Sequence, residues 1–241
     1  MKILYEGKDL TLPDFFIAGA VKSGTTSLYY YFKKYKEIYF PEIKEPSYFS
    51  DMVNPHNKEL ATIGDYSNLF SEAKTGQLIG DASPGYIYYY ENFIRNIQSV
   101  YGKRASELKI IIVLRNPADR AYSNYLARIR DGLEERSFLE AINDSLNETG
   151  YDYVGLGMYS GQIKAILKSF PQVYVYLFDD FKGNPQSVQF DICDRLNIQT
   201  LDYGNASAVF NKSGVPKSIF LDKIILNNQF DFILLQRDFP F

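Results

Sequence analysis

Asp14-Phe15-Phe16-Ile17-Ala18-Gly19-Ala20-Val21-Lys22-Ser23-Gly24-Thr25-Thr26-Ser27-Leu28 is the stretch around which the rest of the chain is arranged. Its apolar opening, Phe15 to Ala18, predicts a short buried strand. Glycines at 19 and 24 bracket a loop, after which Leu28, Tyr31, Phe32 and Tyr35 recur at helical spacing. The helix is expected to end between Tyr35 and Tyr39, before Phe40-Pro41. Strand, glycine loop and helix together aim free backbone N–H groups and the positive end of a helix dipole at an anion. The loop is close to the nucleotide-triphosphatase pattern G-x-x-x-x-G-K-[ST], but the lysine is displaced. Thr25 and Thr26 follow Gly24, and Lys22 sits two residues before it. The plainer alternative is a Gly-Thr turn that merely caps a helix.

Bulk properties narrow the field. The 241 residues suit one α/β domain, and 46% hydrophobic content supplies a sizeable core. A net charge of −3 provides no global basic field for a nucleic acid. One cysteine, Cys193, leaves no internal disulfide or cysteine-rich metal site, and its apolar helical setting reads as core. One histidine, His56, argues against a histidine triad or zinc cluster. No run approaches the ~20 apolar residues of a membrane span, and Met1 to Pro13 lacks a signal core. The expectation is a soluble, cytoplasmic protein with no membrane partner. The 21 tyrosines and 18 phenylalanines form clusters such as Tyr29-Tyr30-Tyr31 and Tyr88-Tyr89-Tyr90. These read as half-buried helix faces, which the sequence does not separate from sugar-stacking platforms.

Further along the chain, Pro46 disfavours helix at Glu45, so that carboxylate is expected on extended or turning backbone, where a cleft edge can present it. A solvated surface glutamate is the plain alternative. Helical fragments are expected around Tyr66 to Ala73. Leu78 to Pro84 reads as a strand into a turn carrying Asp81 and Ser83. Lys109 to Leu114 is the best strand in the chain, β-branched and unbroken as a central parallel strand should be. Asn116 and Pro117 then suit the cap and first position of a helix. Ligands of open α/β sheets sit beyond the carboxyl ends of strands, which places Arg115 at the site, with Ser123 eight positions on along the helix. A structural ion pair is the other reading of Arg115. Asp131 to Ser145 is charged, helical or partly open. A helix opening at Gly157 to Gln162 is expected to bury Ile163, Ile166, Leu167 and Phe170. Val173 to Phe178 is the next strand, and Asp179 to Phe181 a turn into the helix of Cys193.

Val21 to Leu28 resembles the 5′-phosphosulfate loop of sulfotransferases that use 3′-phosphoadenosine 5′-phosphosulfate (PAPS). The likeness is greatest to the branch of bacterial and heparan sulfate sulfotransferases. The resemblance implies that Lys22 contacts the phosphosulfate while Ser23, Gly24, Thr25, Thr26 and Ser27 cradle it. Glu45 opens a segment similar to the family's Glu-x-x-x-Phe, whose glutamate deprotonates the acceptor. Arg115 and Ser123 match the pair that binds the 3′-phosphate. Asp81-Ala82-Ser83-Pro84 is similar to a segment lining the acceptor side, although a turn cap explains Asp81 and Ser83 equally well. Ala82 stands where many heparan sulfate enzymes have lysine, which removes one cationic contact. Asn211 to Ser218 is like a glycine-containing segment that precedes the cofactor-covering region. From about residue 219 the tail is expected to be short beside the helical tail usual in relatives.

The expected fold is therefore a P-loop-like three-layer α/β domain spanning residues 1–241, with a central parallel sheet and helices on both faces. The expected reaction is metal-free sulfuryl transfer from PAPS to a hydroxyl or amine of a small molecule or glycan, leaving 3′,5′-adenosine bisphosphate. A P-loop kinase-like phosphoryl transferase is disfavoured by the displaced lysine, and by Arg115 standing where a Mg²⁺-binding aspartate would be. A nucleotide-binding protein without catalysis is the remaining alternative. A Rossmann dehydrogenase lacks its G-x-G-x-x-G here. Acceptor identity and oligomeric state are not legible.

Overall fold

Successive residues of the first predicted strand belong to two different apolar clusters, and that alternation makes the fold three layers deep. The structure, a computed structural model, describes residues 1–50 and 60–200. Strands β1 (Lys2–Tyr5) and β2 (Lys8–Thr11) form an antiparallel hairpin. Phe15–Gly19 follows as β3, buried at every position. With β4 (Ile38–Tyr39), β5 (Leu78–Asp81), β6 (Lys109–Leu114) and β7 (Gln172–Leu177) it builds a sheet in the order β4-β5-β3-β6-β7. Every pair in that sheet is parallel. Phe15, Ile17, Ile111 and Val113 pack with Leu28 and Phe32 of α1 (Thr25–Phe32) and with Ile192 and Cys193 of α8 (Pro185–Leu196). Phe16, Ala18, Ile110 and Ile112 pack on the other side, with Phe93 and Ile97 of α3 (Tyr90–Tyr101) and Ile166 of α6 (Tyr159–Ser169). Two-sided burial is why β3 and β6 read as unbroken apolar runs.

Phe16 is the pivot of the second cluster. Its ring meets Phe49, Tyr86, Phe93 and Tyr101 edge-on, at centroid separations between 5.4 and 6.5 Å. Removing a fully buried phenyl group from such a site costs about 3–5 kcal/mol. Gly80 pairs with Phe15, and a Cβ there would lie 2.5 Å from the rings of Phe15 and Phe40. The chain leaves β3 toward β4 and β5 but leaves β6 toward β7. The carboxyl ends of these two adjacent strands therefore form a topological switch point, where open α/β sheets bind ligands.

The described residues fall into two compact units. One comprises Met1–Leu114 together with the segment from Tyr159 onward, and the other is Arg115–Met158. The second holds α4 (Pro117–Arg130) and α5 (Phe138–Leu146) around Ala121, Tyr125, Phe138, Ala141, Ile142 and Tyr153. At its centre the buried Glu134 carboxylate accepts hydrogen bonds from Arg136 and from the Tyr153 hydroxyl. The Arg136 bonds, aided by Tyr153, hold its pKa down at about 2.

Several sequence expectations need adjustment. The first helix ends at Phe32, and Ile38–Tyr39 pairs with β5 instead of continuing it. Leu167 is exposed, although Ile166 and Phe170 are buried as expected. Asp179 to Phe181 lies within a short helix, α7 (Phe178–Gly183), and the Tyr66 region contributes α2 (Ile63–Asn68). His56, the Asn211 to Ser218 segment and the tail from 219 lie outside the described residues.

Candidate active site

The loop after β3 is shaped by close packing on both sides. Ala20 N–H donates to the Val113 carbonyl at 2.8 Å, carrying the β3–β6 pairing one residue past the strand. A Cβ on Gly19 would stand 2.5 Å from Ile87, so only glycine fits at the strand end. Lys22 (φ 67°) and Gly24 (φ 86°) both adopt the left-handed conformation. Lysine rarely does so, and non-glycine residues held there cluster at functional sites. Left-handed residues interleaved with ordinary ones are the backbone pattern of an anion-binding nest, and here one of the loop's N–H groups, that of Ser23, is taken by the Ala20 carbonyl at 3.1 Å. Gly24 also caps α1 without a side-chain hydrogen bond, and a Cβ there would meet the Phe178 ring at 3.0 Å. Beside it, Ser23 is fully buried, and its Oγ has no hydrogen-bond partner among the described residues. An orphaned buried hydroxyl costs about 1–3 kcal/mol. An oxyanion seated in the nest can relieve that cost, so the loop fits a phosphate or phosphosulfate group.

Glu45 is brought to this loop by its neighbour. Lys44 Nζ donates to Thr26 Oγ1 at 3.2 Å and forms an ion pair with the Glu45 carboxylate. Adjacent side chains on extended backbone point apart. Here Glu45 (φ 57°) and Ser47 (φ 54°) are both left-handed, and the resulting fold-back lets Lys44 and Glu45 meet. The segment is pinned from below. Ser47 N–H donates to Ser83 Oγ at 3.0 Å, and Ser83 Oγ donates to Asp81 Oδ1 at 2.6 Å. The hydroxyls of Tyr66 and Tyr86 donate to Asp81 Oδ2 at 2.7 and 2.8 Å. Asn96 and Asn92 amides reach the carbonyls of Phe49 and Ser50 from α3. Asp81 and Ser83 are wholly buried, and they act on their surroundings through the segment that they hold. Burial pushes the Asp81 carboxyl up to about 6 against the pull of its three hydroxyl donors, and the Glu45 charge adds to the rise.

Arg115 and Ser123 belong to the second unit. Arg115 is partly buried and directly precedes Asn116, whose side chain accepts the Ala118 and Asp119 N–H groups at 3.0 and 3.3 Å, with Pro117 opening α4. Ser123 lies about two turns into that helix on its buried side. The predicted cap and helix start are thus observed, with Ser123 on the helix and Arg115 in the turn between β6 and α4.

The structure joins Thr26, Glu45, Ser83 and Asp81 into one connected set within the first unit. It adds three residues that the sequence did not single out: Lys44, Tyr66 and Tyr86. A lysine directly before the carboxylate was the visible trace of the first. The tyrosines left none, because their partner Asp81 lies 15 and 5 positions away in the chain. Among the described residues, no cluster of three or more His, Cys, Asp or Glu side chains could hold a metal ion. No helix among them is long and apolar enough to cross a membrane.

Comparison with known proteins follows the same lines. A sulfotransferase-domain profile matches residues 12–213, a span that runs through both units. A membrane-associated sulfotransferase of Dictyostelium discoideum, kil1, is 32% identical over 120 residues, covering 50% of this chain and 24% of that protein. Mouse carbohydrate sulfotransferase 15 is 25% identical over 171 residues, 56% of this chain and 30% of its own length. The chain thus spans less than a third of the length of these relatives. A solved sulfotransferase from Alicyclobacillus acidocaldarius superposes with a TM-score of 0.69 at 29% identity, covering 93% of this chain and 94% of that one.

Proposed function

The chain belongs to the sulfotransferase family, and on that premise we propose that it transfers a sulfuryl group from PAPS to an acceptor hydroxyl or amine. The observation that carries the proposal is the single ammonium, Lys44 Nζ, that touches both a loop hydroxyl and the Glu45 carboxylate. A nest for the donor's anion and a base for the acceptor's proton therefore share one locus. In this reading the nest of Lys22, Ser23, Gly24, Thr25, Thr26 and Ser27 holds the phosphosulfate. Arg115 and Ser123 hold the 3′-phosphate, the arginine as a planar fork of donors and the serine completing the shell. Glu45 takes the acceptor's proton as its oxygen or nitrogen bonds to sulfur, and the sulfur–oxygen bond to the nucleotide breaks in line. Lys22 and the loop N–H groups offset charge building on the sulfonate and on the departing phosphate. Asp81 and Ser83 serve the acceptor side indirectly, by fixing the Ser47 backbone. The likeness to carbohydrate sulfotransferase 15 supports a glycan among the acceptors to be tried.

Transfer of label from PAPS to a panel of desulfated glycans, phenols and lipids tests the reading. Lys22→Ala should lower turnover by about 10²–10³-fold in a folded protein, the usual loss on deleting one transition-state donor. Glu45→Gln should suppress turnover and leave nucleotide affinity nearly unchanged. Binding without turnover on any acceptor would point to a nucleotide-binding protein. Loss of activity in excess EDTA with rescue by Mg²⁺ would point to phosphoryl transfer.

A further inference from the structure

The scheme above gives Lys44 no chemical role of its own, yet its ammonium connects the scheme's two halves. Its side chain is 30% exposed, and its ammonium contacts both the Thr26 hydroxyl, 3.2 Å away, and the Glu45 carboxylate. Thr26 is the second residue of α1, on the nest that would receive the sulfonate end of the donor. A base that must be anionic therefore stands one ammonium away from the site of a second anion. Like charges so placed repel each other, and the repulsion grows as water is displaced from between them.

We propose that Lys44 is a shared cation that binds the donor's sulfonate and at the same time screens it from the Glu45 carboxylate. The inference rests on the sulfotransferase reading and assigns within it a residue that discriminates the charged donor from the spent nucleotide. The sulfonate exists only on PAPS. The bisphosphate product keeps both phosphates and lacks that group, so Lys44 should hold the donor and let the product go. The fold-back at Glu45 and Ser47, both left-handed, is what places the lysine there. The bonds to Ser83, Asn92 and Asn96 keep the segment in place.

Calorimetry with two ligands and three variants tests this. Wild-type protein is first titrated with 3′,5′-adenosine bisphosphate; no binding at all would sink the sulfotransferase reading itself. Given binding, Lys44→Ala should weaken PAPS affinity roughly tenfold or more, the loss expected for one charge-assisted contact, and change bisphosphate affinity less than about twofold. Lys44→Arg should retain most of the PAPS affinity. Adding Glu45→Gln to Lys44→Ala should recover part of it, because the unscreened carboxylate is then gone. Both ligands weakened equally in Lys44→Ala, or neither weakened, would overturn the proposal while leaving the family assignment untouched. So would a double variant no better than Lys44→Ala. Thermal melts of each variant separate these outcomes from unfolding, which a partly exposed side chain is not expected to cause.

Discussion

Asp81 shows how one buried carboxylate can organise a site that it does not enter. Three hydroxyls donate to it, and through Ser83 it fixes the backbone two residues beyond Glu45. Burial nevertheless raises its pKa from 3.8 to about 6. As pH climbs from about 4, the unfolded chain gives up this proton before the folded protein does. The group's contribution to stability is therefore greatest below about pH 4 and falls as pH rises to about 6, by on the order of 3 kcal/mol. Asp81→Asn carries no titrating group, so the stability of wild type relative to this variant should fall across that window and level off above it. Paired urea titrations at several pH values check this; a difference independent of pH would contradict it. Among the candidate residues, Lys22 stood out because it is displaced within the loop, and Glu45 because it opens a segment similar to the family's Glu-x-x-x-Phe. Lys44 did not stand out, since neighbours on extended backbone diverge and only a left-handed Glu45 reverses that.

Elements were legible where a single force shaped them. β6 runs over Lys109–Leu114 as its β-branched pattern predicts, and Asn116 caps α4 with Pro117 at its first position. Asn116→Ala should lower stability by about 1 kcal/mol, within the usual range of roughly 0.5–2 for a lost cap. Chemical denaturation measures it, and no change would mean that the cap bonds carry no net weight. Gly24→Ala should do more harm to binding than to folding. Its φ of 86° and the 3.0 Å approach of Phe178 would force the nest open. PAPS affinity should fall at least tenfold, whereas the left-handed penalty of an alanine is only about 1–2 kcal/mol. Unchanged affinity would show that the loop tolerates distortion. Short elements escaped the sequence because long-range pairing decides them. Two residues at Ile38–Tyr39 form a strand only through β5 beside them. Leu167 fits a helical stripe by spacing, yet Ile166 takes the buried position and Leu167 faces outward.

At the scale of the whole molecule, two-sided burial of β3 and β6 makes the sheet a fixed platform. The switch point between their carboxyl ends puts the loop at the edge of its most deeply buried strands. The architecture, a parallel sheet between helical layers, followed from the unbroken strands and the loop between them. The acceptor did not, because its contacts depend on surfaces that no motif encodes. The central claim concerns the donor. An adenine-nucleotide enzyme of the ordinary kind needs no second anion pocket, whereas a PAPS enzyme needs one for the 3′-phosphate. Arg115 and Ser123 are assigned to it here. Calorimetry comparing 3′,5′-adenosine bisphosphate with AMP is the most direct test. A charge-assisted contact of ~1.5–3 kcal/mol predicts roughly ten- to more than hundredfold tighter binding of the bisphosphate. Arg115→Ala should erase most of that preference and leave AMP affinity little changed. Equal affinity of the wild-type protein for the two nucleotides would contradict the assignment of PAPS as donor, and with it the proposed reaction.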